Sequence, residues 1–369
     1  MARRIVLFGA TGHTGRLCAE RLVAQGERPV LAGRSEERLA DLAGRLDVEW
    51  RAADAGRPAS VFALVERDDV LVATVGPFAR WGLPAVRAAV AAPAVYLDST
   101  GEPGFIRRVV EELGPPAARG GATLLPAMGY DYVPGALAGA LALEESDGRA
   151  ERVDVGYFML GGRPGMLSRG TAASAVGAVL EPMFAFRDGK LRTARAGERR
   201  RSFRVDGRER EAISIGGAEH IGLPRAYPRL REVGVYLGVA GGAGRVVQAA
   251  GAAAAPVMRL PGVRWALRSG GERLAALLPA PAPGTPAGAT SQIVAVANDG
   301  AGRPLAEVHL GGVDGYAFTA GFLAWAARRA AHDGVDGVGA LGPLEAFGLE
   351  ALERGCAEAG IARVAAERA

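Results

Sequence analysis

Over the first 125 residues, short apolar runs alternate with stretches of helical periodicity joined by brief polar connections. That is the pattern of a parallel sheet wrapped by helices. Strands are predicted over residues 5–8, 29–32, 48–52, 70–75, 95–98 and 122–126, and helices over 14–24, 36–46, 59–65, 82–91 and 105–113. The run at 70–75 is apolar at nearly every position, as a central strand buried on both faces would be.

Beyond Pro126 the rhythm changes. Alternating runs at 153–160, 202–205 and 232–239, with the pair 292–297 and 306–310, predict a mostly antiparallel sheet. The link Asn298-Asp299-Gly300-Ala301-Gly302 has the Asn, Asp and Gly residues that accept the positive φ of a hairpin turn. Residues 279–286, with Pro or Gly at alternate positions, read as a surface loop. Helices are expected over 317–332 and 343–359, the last packing back on the first domain. The expected division is 1–130, 131–330 and a C-terminal helical segment 331–369.

Composition then narrows the class. With 369 residues, 49% hydrophobic and 23% charged, the chain can bury a core for roughly two domains and is no disordered tail. Cys18 and Cys356, far apart within helical patterns, read as free thiols of a reducing compartment. The most membrane-like stretch, 246–258, contains Gln248 and falls short of the roughly 20 residues needed to span. A cytoplasmic location without stable membrane insertion is therefore expected. Forty-four basic residues stand against 40 acidic ones, giving +4. The arginines are dispersed among acids, so no nucleic-acid footprint is read. Lys190 is the sole lysine.

The most informative segment is Gly9-Ala10-Thr11-Gly12-His13-Thr14-Gly15-Arg16, set between the first strand and the first helix. Glycines there allow a tight turn, approach of backbone N–H groups to a pyrophosphate, and close helix-to-strand packing. The fold class that follows is α/β, an N-terminal Rossmann-type parallel sheet plus a second α+β domain with a mostly antiparallel sheet. Arg16, a cation in the first helical turn, opposes the helix dipole unless an anion lies near or the side chain reaches solvent. After the second strand an NAD site usually places Asp or Glu; this chain reads Gly33-Arg34-Ser35. An arginine fork and a hydroxyl suit a 2′-phosphate, so NADP(H) is the expected cofactor, although Ser35 can equally cap the helix that follows. Asp54 either bonds the adenine amino group or serves an ordinary turn.

The segments GATGHTGR at 9–16, AGRS at 32–35, VGPFARWG at 75–82, YLDSTGEPGF at 96–105 and MGYDYVPGALA at 128–138 resemble the saccharopine dehydrogenase-like family of NADP-binding oxidoreductases. The resemblance is to the branch that includes trans-acting enoyl reductases. It continues loosely through 315–320 and 341–348, while 150–290 matches nothing with confidence. It implies that Gly76, Pro77 and Phe78 pack on the dinucleotide and that Ser99, Thr100, Gly101 and Glu102 line the reaction centre. The stretch Gly129-Tyr130-Asp131-Tyr132-Val133-Pro134 departs from the family's Gly-Phe-Asp-Ser-Val-Pro-like pattern at Tyr132, where a small Ser is usual.

The expected activity is an NADPH-dependent reductase delivering hydride to a ketone, activated alkene or imine of a hydrophobic, polyketide- or lipid-like metabolite of secondary metabolism. Met159, Met166, Met183, Phe184 and Phe186 would suit such a substrate, although a plain core explains them too. Four residues before Lys190 stands Phe186, so the Tyr-x-x-x-Lys pair of short-chain dehydrogenases is absent. Acid candidates are Tyr130 and Tyr132, then Asp131 and Glu102, with His220 and His309 behind them. No Cys, His and carboxylate set has metal-ligand spacing. A homodimer is left open. The rival readings are a non-catalytic NADP-sensing regulator of NmrA-like type and a saccharopine-type amino-acid dehydrogenase.

Overall fold

The computed structural model describes residues 3–161, 183–238 and 289–365. Met166, the 246–258 stretch and the 279–286 loop fall outside them. The chain divides into two compact units: residues 1–133 with 315–360, and residues 134–314 with 361–369.

In the first unit, β1 (Ile5–Phe8), β2 (Val30–Gly33), β3 (Trp50–Ala52), β4 (Val70–Ala73), β5 (Val95–Asp98) and β6 (Thr123–Leu125) alternate with helices. These are α1 (His13–Ala24), α2 (Glu36–Leu46), α3 (Pro58–Phe62), α4 (Phe78–Trp81), α5 (Leu83–Ala91), α6 (Pro103–Arg108) and α7 (Gly114–Gly120). All strand pairings in this seven-stranded sheet are parallel, and its order places β3, β2, β1, β4, β5 and β6 side by side. The order reverses between β1 and β4, where open α/β sheets bind ligands beyond the strand ends. Every residue of β1, β2, β4 and β5 is buried, as their unbroken apolar runs required. Strand β3 is exposed throughout and forms one edge.

The helix expected over 105–113 starts earlier and is interrupted. After α6, residues Val109–Leu113 make a π-helical turn before α7 begins with Gly114-Pro115-Pro116. Prolines cannot donate the next helical hydrogen bonds, which gives a local reason for the altered winding.

The second unit begins within α8 (Val133–Glu145), a helix apolar nearly all round. Its strands are β7 (Arg152–Leu160), β8 (Met183–Arg187), β9 (Lys190–Ala194), β10 (Arg200–Val205), β11 (Arg208–Ser214), β12 (Glu232–Gly238), β13 (Thr290–Asn298) and β14 (Pro304–Gly312), with α9 (Glu219–Ala226) between β11 and β12. Among the described strands of this unit only β7 and β12 pair in parallel; the other pairings are antiparallel. The predicted 298–302 turn joins β13 to β14. Phe158, Phe203, Val205, Tyr236, Val294 and Val296 form a core on one sheet face.

The chain then returns to the first unit as α10 (Gly315–His332), β15 (Gly339–Ala340), α11 (Pro343–Phe347) and α12 (Leu349–Glu358), before β16 (Ile361–Arg363) pairs with β14. Strand β15 joins the parallel sheet beside β6. Helix α10 packs on α1 and against β1, β4 and β5, so the segment from Gly315 belongs with the first unit. Residues 315–330, expected in the second domain, thus lie in the first, because the buried face of α10 covers α1 and the parallel sheet. Among the described residues no helix is long and apolar enough to cross a membrane.

Candidate functional site

Gly9 holds φ +93, a backbone conformation that favours glycine, and its N–H donates to the Ala32 carbonyl at 2.8 Å. A Cβ on Gly15 would stand 2.2 Å from the Gly9 carbonyl oxygen and 2.8 Å from Thr74 Oγ1. Helix α1 therefore rests on the turn at a distance only glycine permits. Thr74 Oγ1 donates to the Gly9 carbonyl at 3.2 Å, fixing the turn from the end of β4. Gly12 is the exposed N-cap of α1 and supplies no side-chain cap. The first turn of α1 carries no acidic residue. An uncapped helix start beside such a turn fits the pyrophosphate of a dinucleotide. Thr11, His13 and Thr14 are partly exposed around it.

Arg16 is directed along the helix, paired with Glu20 at 3.2 Å. Arg34 is exposed at the end of β2 and forms no ion pair among the described residues. Ser35 occupies the N-cap of α2, yet its hydroxyl makes no cap hydrogen bond, leaving it uncommitted. The Asp54 carboxylate accepts the Gly56 N–H at 2.9 Å, the local turn that was one of its two readings.

The loops after β4, β5 and β6 lie at the same strand ends and are tied together. Gly76–Pro77 is a cis peptide bond, and Phe78 is buried against Phe105. Glu102, itself buried, accepts the N–H groups of Phe78 at 2.7 Å and Ala79 at 2.8 Å. Its carboxylate thereby holds the start of α4. Thr100 is buried, its Oγ1 accepting the Glu102 N–H at 3.1 Å. Ser99 and Gly101 remain partly exposed. Asp98, fully buried, accepts the Thr100 N–H at 2.9 Å, the Ala127 N–H at 2.8 Å and the Tyr96 hydroxyl at 2.7 Å. Burial pushes its carboxyl up to about 6.

Asp131, Tyr130 and Tyr132 extend this cluster. The Tyr132 hydroxyl donates to the Gly101 carbonyl at 3.0 Å. Asp131 Oδ2 would stand 2.3 Å from a Cβ on Gly101, so the carboxylate lies directly over that glycine. Asp131 is open to solvent, yet enough protein surrounds it that desolvation pushes its carboxyl up to about 6. Tyr130 packs edge-on to Phe318, and its N–H donates to Thr319 Oγ1 at 3.0 Å. The first turn of α10 thus belongs to the cluster, and Tyr316 meets the His13 ring edge-on at 4.8 Å.

Asp98, Tyr316 and Thr319 were not singled out from sequence. The last two lie in the loosely matching 315–320 segment, the one signal that could have found them. The histidines weighed as acids lie elsewhere. His220 is buried, with burial lowering its pKa to about 4, and His309 pairs with Glu307 at 2.6 Å. Met183 and Phe184 are buried, Phe186 is half-buried and Met159 is exposed. Lys190 is exposed at the β8–β9 turn.

Fold and cradle define a nicotinamide-dinucleotide-binding α/β protein, and a family model described as NAD(P)H-binding matches residues 9–96. The fold matches that of saccharopine dehydrogenase (L-Glu forming) from Saccharomyces cerevisiae with a TM-score of 0.62 and 14% identity, covering 98% of this chain and 100% of that one. A homospermidine synthase from Legionella pneumophila, solved with NAD, matches at a TM-score of 0.56 and 11% identity, over 99% and 92% of the two chains. A Mycobacterium tuberculosis protein provisionally named a trans-acting enoyl reductase is 40% identical over 180 residues, 46% of this chain and 42% of its own. The trans-acting enoyl reductase of Mycobacterium leprae is 42% identical over 137 residues, 35% of this chain and 33% of its own. The chain spans less than half the length of these relatives. Within the dinucleotide-binding class the chain thus shares its fold with saccharopine dehydrogenase and is similar over part of its length to the trans-acting enoyl reductases.

Proposed function

We propose that the protein is an NADPH-dependent reductase of a carbonyl-conjugated alkene in a hydrophobic, polyketide- or lipid-like metabolite. The observation that carries this reading is the gathering of the cradle, the β5 and β6 loops and the exposed Asp131 at one edge of the parallel sheet. The names of the mycobacterial relatives support the alkene over the ketone and the imine. The uncommitted Arg34 and Ser35, standing where an NAD site carries an acid, support the phosphorylated cofactor.

The reduced nicotinamide supplies hydride when bound. The chain's own residues orient and protonate. Glu102 and Asp98 fix the loops that face the reacting groups. With the cofactor bound to supply hydride to the β-carbon, the Asp131 carboxyl would give its proton to the α-carbon, where the alkene's electron pair would otherwise leave negative charge. Water then reprotonates Asp131. The tyrosines at 130 and 132 flank Asp131, each held by a neighbour.

The test is NADPH oxidation with a panel of α,β-unsaturated thioesters, ketones and imines. Asp131→Asn is expected to lower kcat by about 100-fold while leaving NADPH affinity unchanged. Wild-type kcat should fall as pH rises through about 6, where Asp131 loses its proton, and that dependence should vanish in the variant. Arg34→Ala should weaken NADPH far more than NADH. Equal binding of oxidised and reduced cofactor with no turnover across the panel would instead identify a sensor.

A further inference from the structure

Arg80 and Trp81, at the end of α4, have no part in the reading above, yet they form a stacked pair in the first unit. The Arg80 guanidinium carbon lies 4.6 Å from the centre of the Trp81 ring. Arg80 is exposed, and among the described residues it makes no ion pair and no side-chain hydrogen bond. Cation–π pairs are common on protein surfaces, so the pair alone assigns nothing. Its place at the sheet edge does.

A Cβ on Gly56, in the turn after β3, would stand 3.8 Å from Trp81 Cζ3, so the indole lies against that turn. Trp81 itself follows β4, and two strands, β1 and β2, separate β4 from β3 in the sheet. A contact between the segments after β4 and β3 therefore spans the ends of β1 and β2, the strands that lead into the glycine turn and Arg34. A dinucleotide with its pyrophosphate on the cradle and its ribose phosphate at Arg34 lays its adenosine half along those same two strand ends. The base is thereby brought beside the pair.

The pair is also held in place. Glu102 accepts the N–H groups of Phe78 at 2.7 Å and Ala79 at 2.8 Å, and the Trp81 N–H donates to the Pro77 carbonyl at 2.9 Å. The indole packs on the core that contains Val61, Phe78 and Phe105. A guanidinium is planar and stacks through its faces. Arg80 turns one face to the indole, and its exposure leaves the other open. A purine ring is flat and suits that open face, and a guanidinium already stacked loses little freedom when the base arrives.

We propose that Arg80, laid over Trp81, is the stacking platform for the adenine ring of the dinucleotide, acting through the plane of its guanidinium and not as a partner of the 2′-phosphate. The inference rests on the cofactor part of the reductase reading and adds two residues to it.

Calorimetric titration of the full chain with NADPH, NADH and reduced nicotinamide mononucleotide, which lacks adenine, tests this. Arg80→Ala should weaken NADPH and NADH by the same factor, about fivefold, and leave the mononucleotide unchanged. Arg80→Lys keeps the charge but loses the plane, and should recover little of that affinity. Trp81→Leu removes the support under the guanidinium and should reproduce the loss; Arg80, being exposed, can be replaced without disturbing the core. An effect confined to NADPH would make Arg80 a clamp for the 2′-phosphate and overturn the proposal. Full recovery in Arg80→Lys, equal weakening of the mononucleotide, or unchanged dinucleotide affinity in Arg80→Ala would overturn it too. Should the dinucleotides weaken as expected while the wild type reduces nothing in the substrate panel, the reductase reading fails and the adenine platform stands.

Discussion

Single atoms decide the cradle. Gly15→Ala would drive a methyl group into the Gly9 carbonyl and Thr74 Oγ1, so α1 must move away from β1. Overpacking of this kind costs about 1–3 kcal/mol, and NADPH affinity measured by fluorescence titration should fall at least about tenfold. Asp98 gives the opposite kind of prediction. Its folded pKa of about 6 lies above the unfolded carboxylate value, so its contribution to stability is full below about 4 and is lost as pH rises through about 6. An asparagine keeps Oδ1 for the Thr100 and Ala127 N–H groups and offers its amide to the Tyr96 oxygen. Asp98→Asn should therefore fold and escape a loss of about 2–3 kcal/mol across that window, as read by chemical denaturation on either side of it. The cradle was legible because a backbone requirement shows directly as glycine. Asp98 was hidden: a strand-end aspartate looks the same in sequence whether it faces a ligand or knots two loops together.

At the scale of elements, pattern reading succeeded for strands written as apolar runs and faltered where a helix is apolar nearly all round or a strand's charges are paired. Strands β1, β4 and β5 announced themselves as apolar runs. Helix α8 did not, because a helix buried nearly all round has no polar face to set its period. Strand β11, beginning Arg208-Glu209-Arg210-Glu211, hid behind charges that its partner strand neutralises, Arg200 meeting Glu211 across the pair. Helix α8 is also pinned at its start: the Tyr157 hydroxyl accepts the Gly135 N–H at 2.9 Å and donates to the buried Glu219 at 2.6 Å. Tyr157→Phe removes both bonds from a buried site. Thermal unfolding should show a loss of about 1–3 kcal/mol, well above that of a surface Tyr→Phe change.

For the whole molecule, the decisive feature is that the first unit is assembled from two stretches of chain. Residues 315–360 contribute α10 against α1 and β15 at the sheet edge, and they bring Tyr316 to His13 and Thr319 to Tyr130. A chain ending at residue 314 should fail to bind NADPH and should bind a hydrophobic dye, since the sheet face under α10 is left open. Supplying 315–360 as a separate polypeptide should restore part of the binding. From sequence only the last helices are expected to return, because the periodicity of α10 shows that one face is buried but not against which partner.

That discontinuity also has a meaning in time. A growing chain presents the glycine cradle well before the helix that braces it, which emerges only after residues 134–314 of the second unit. Contacts this distant in sequence form late and slowly. Dinucleotide binding is then acquired only once residues 315–360 have been made, so a nascent or truncated chain lacking them is kept from sequestering cofactor it cannot use.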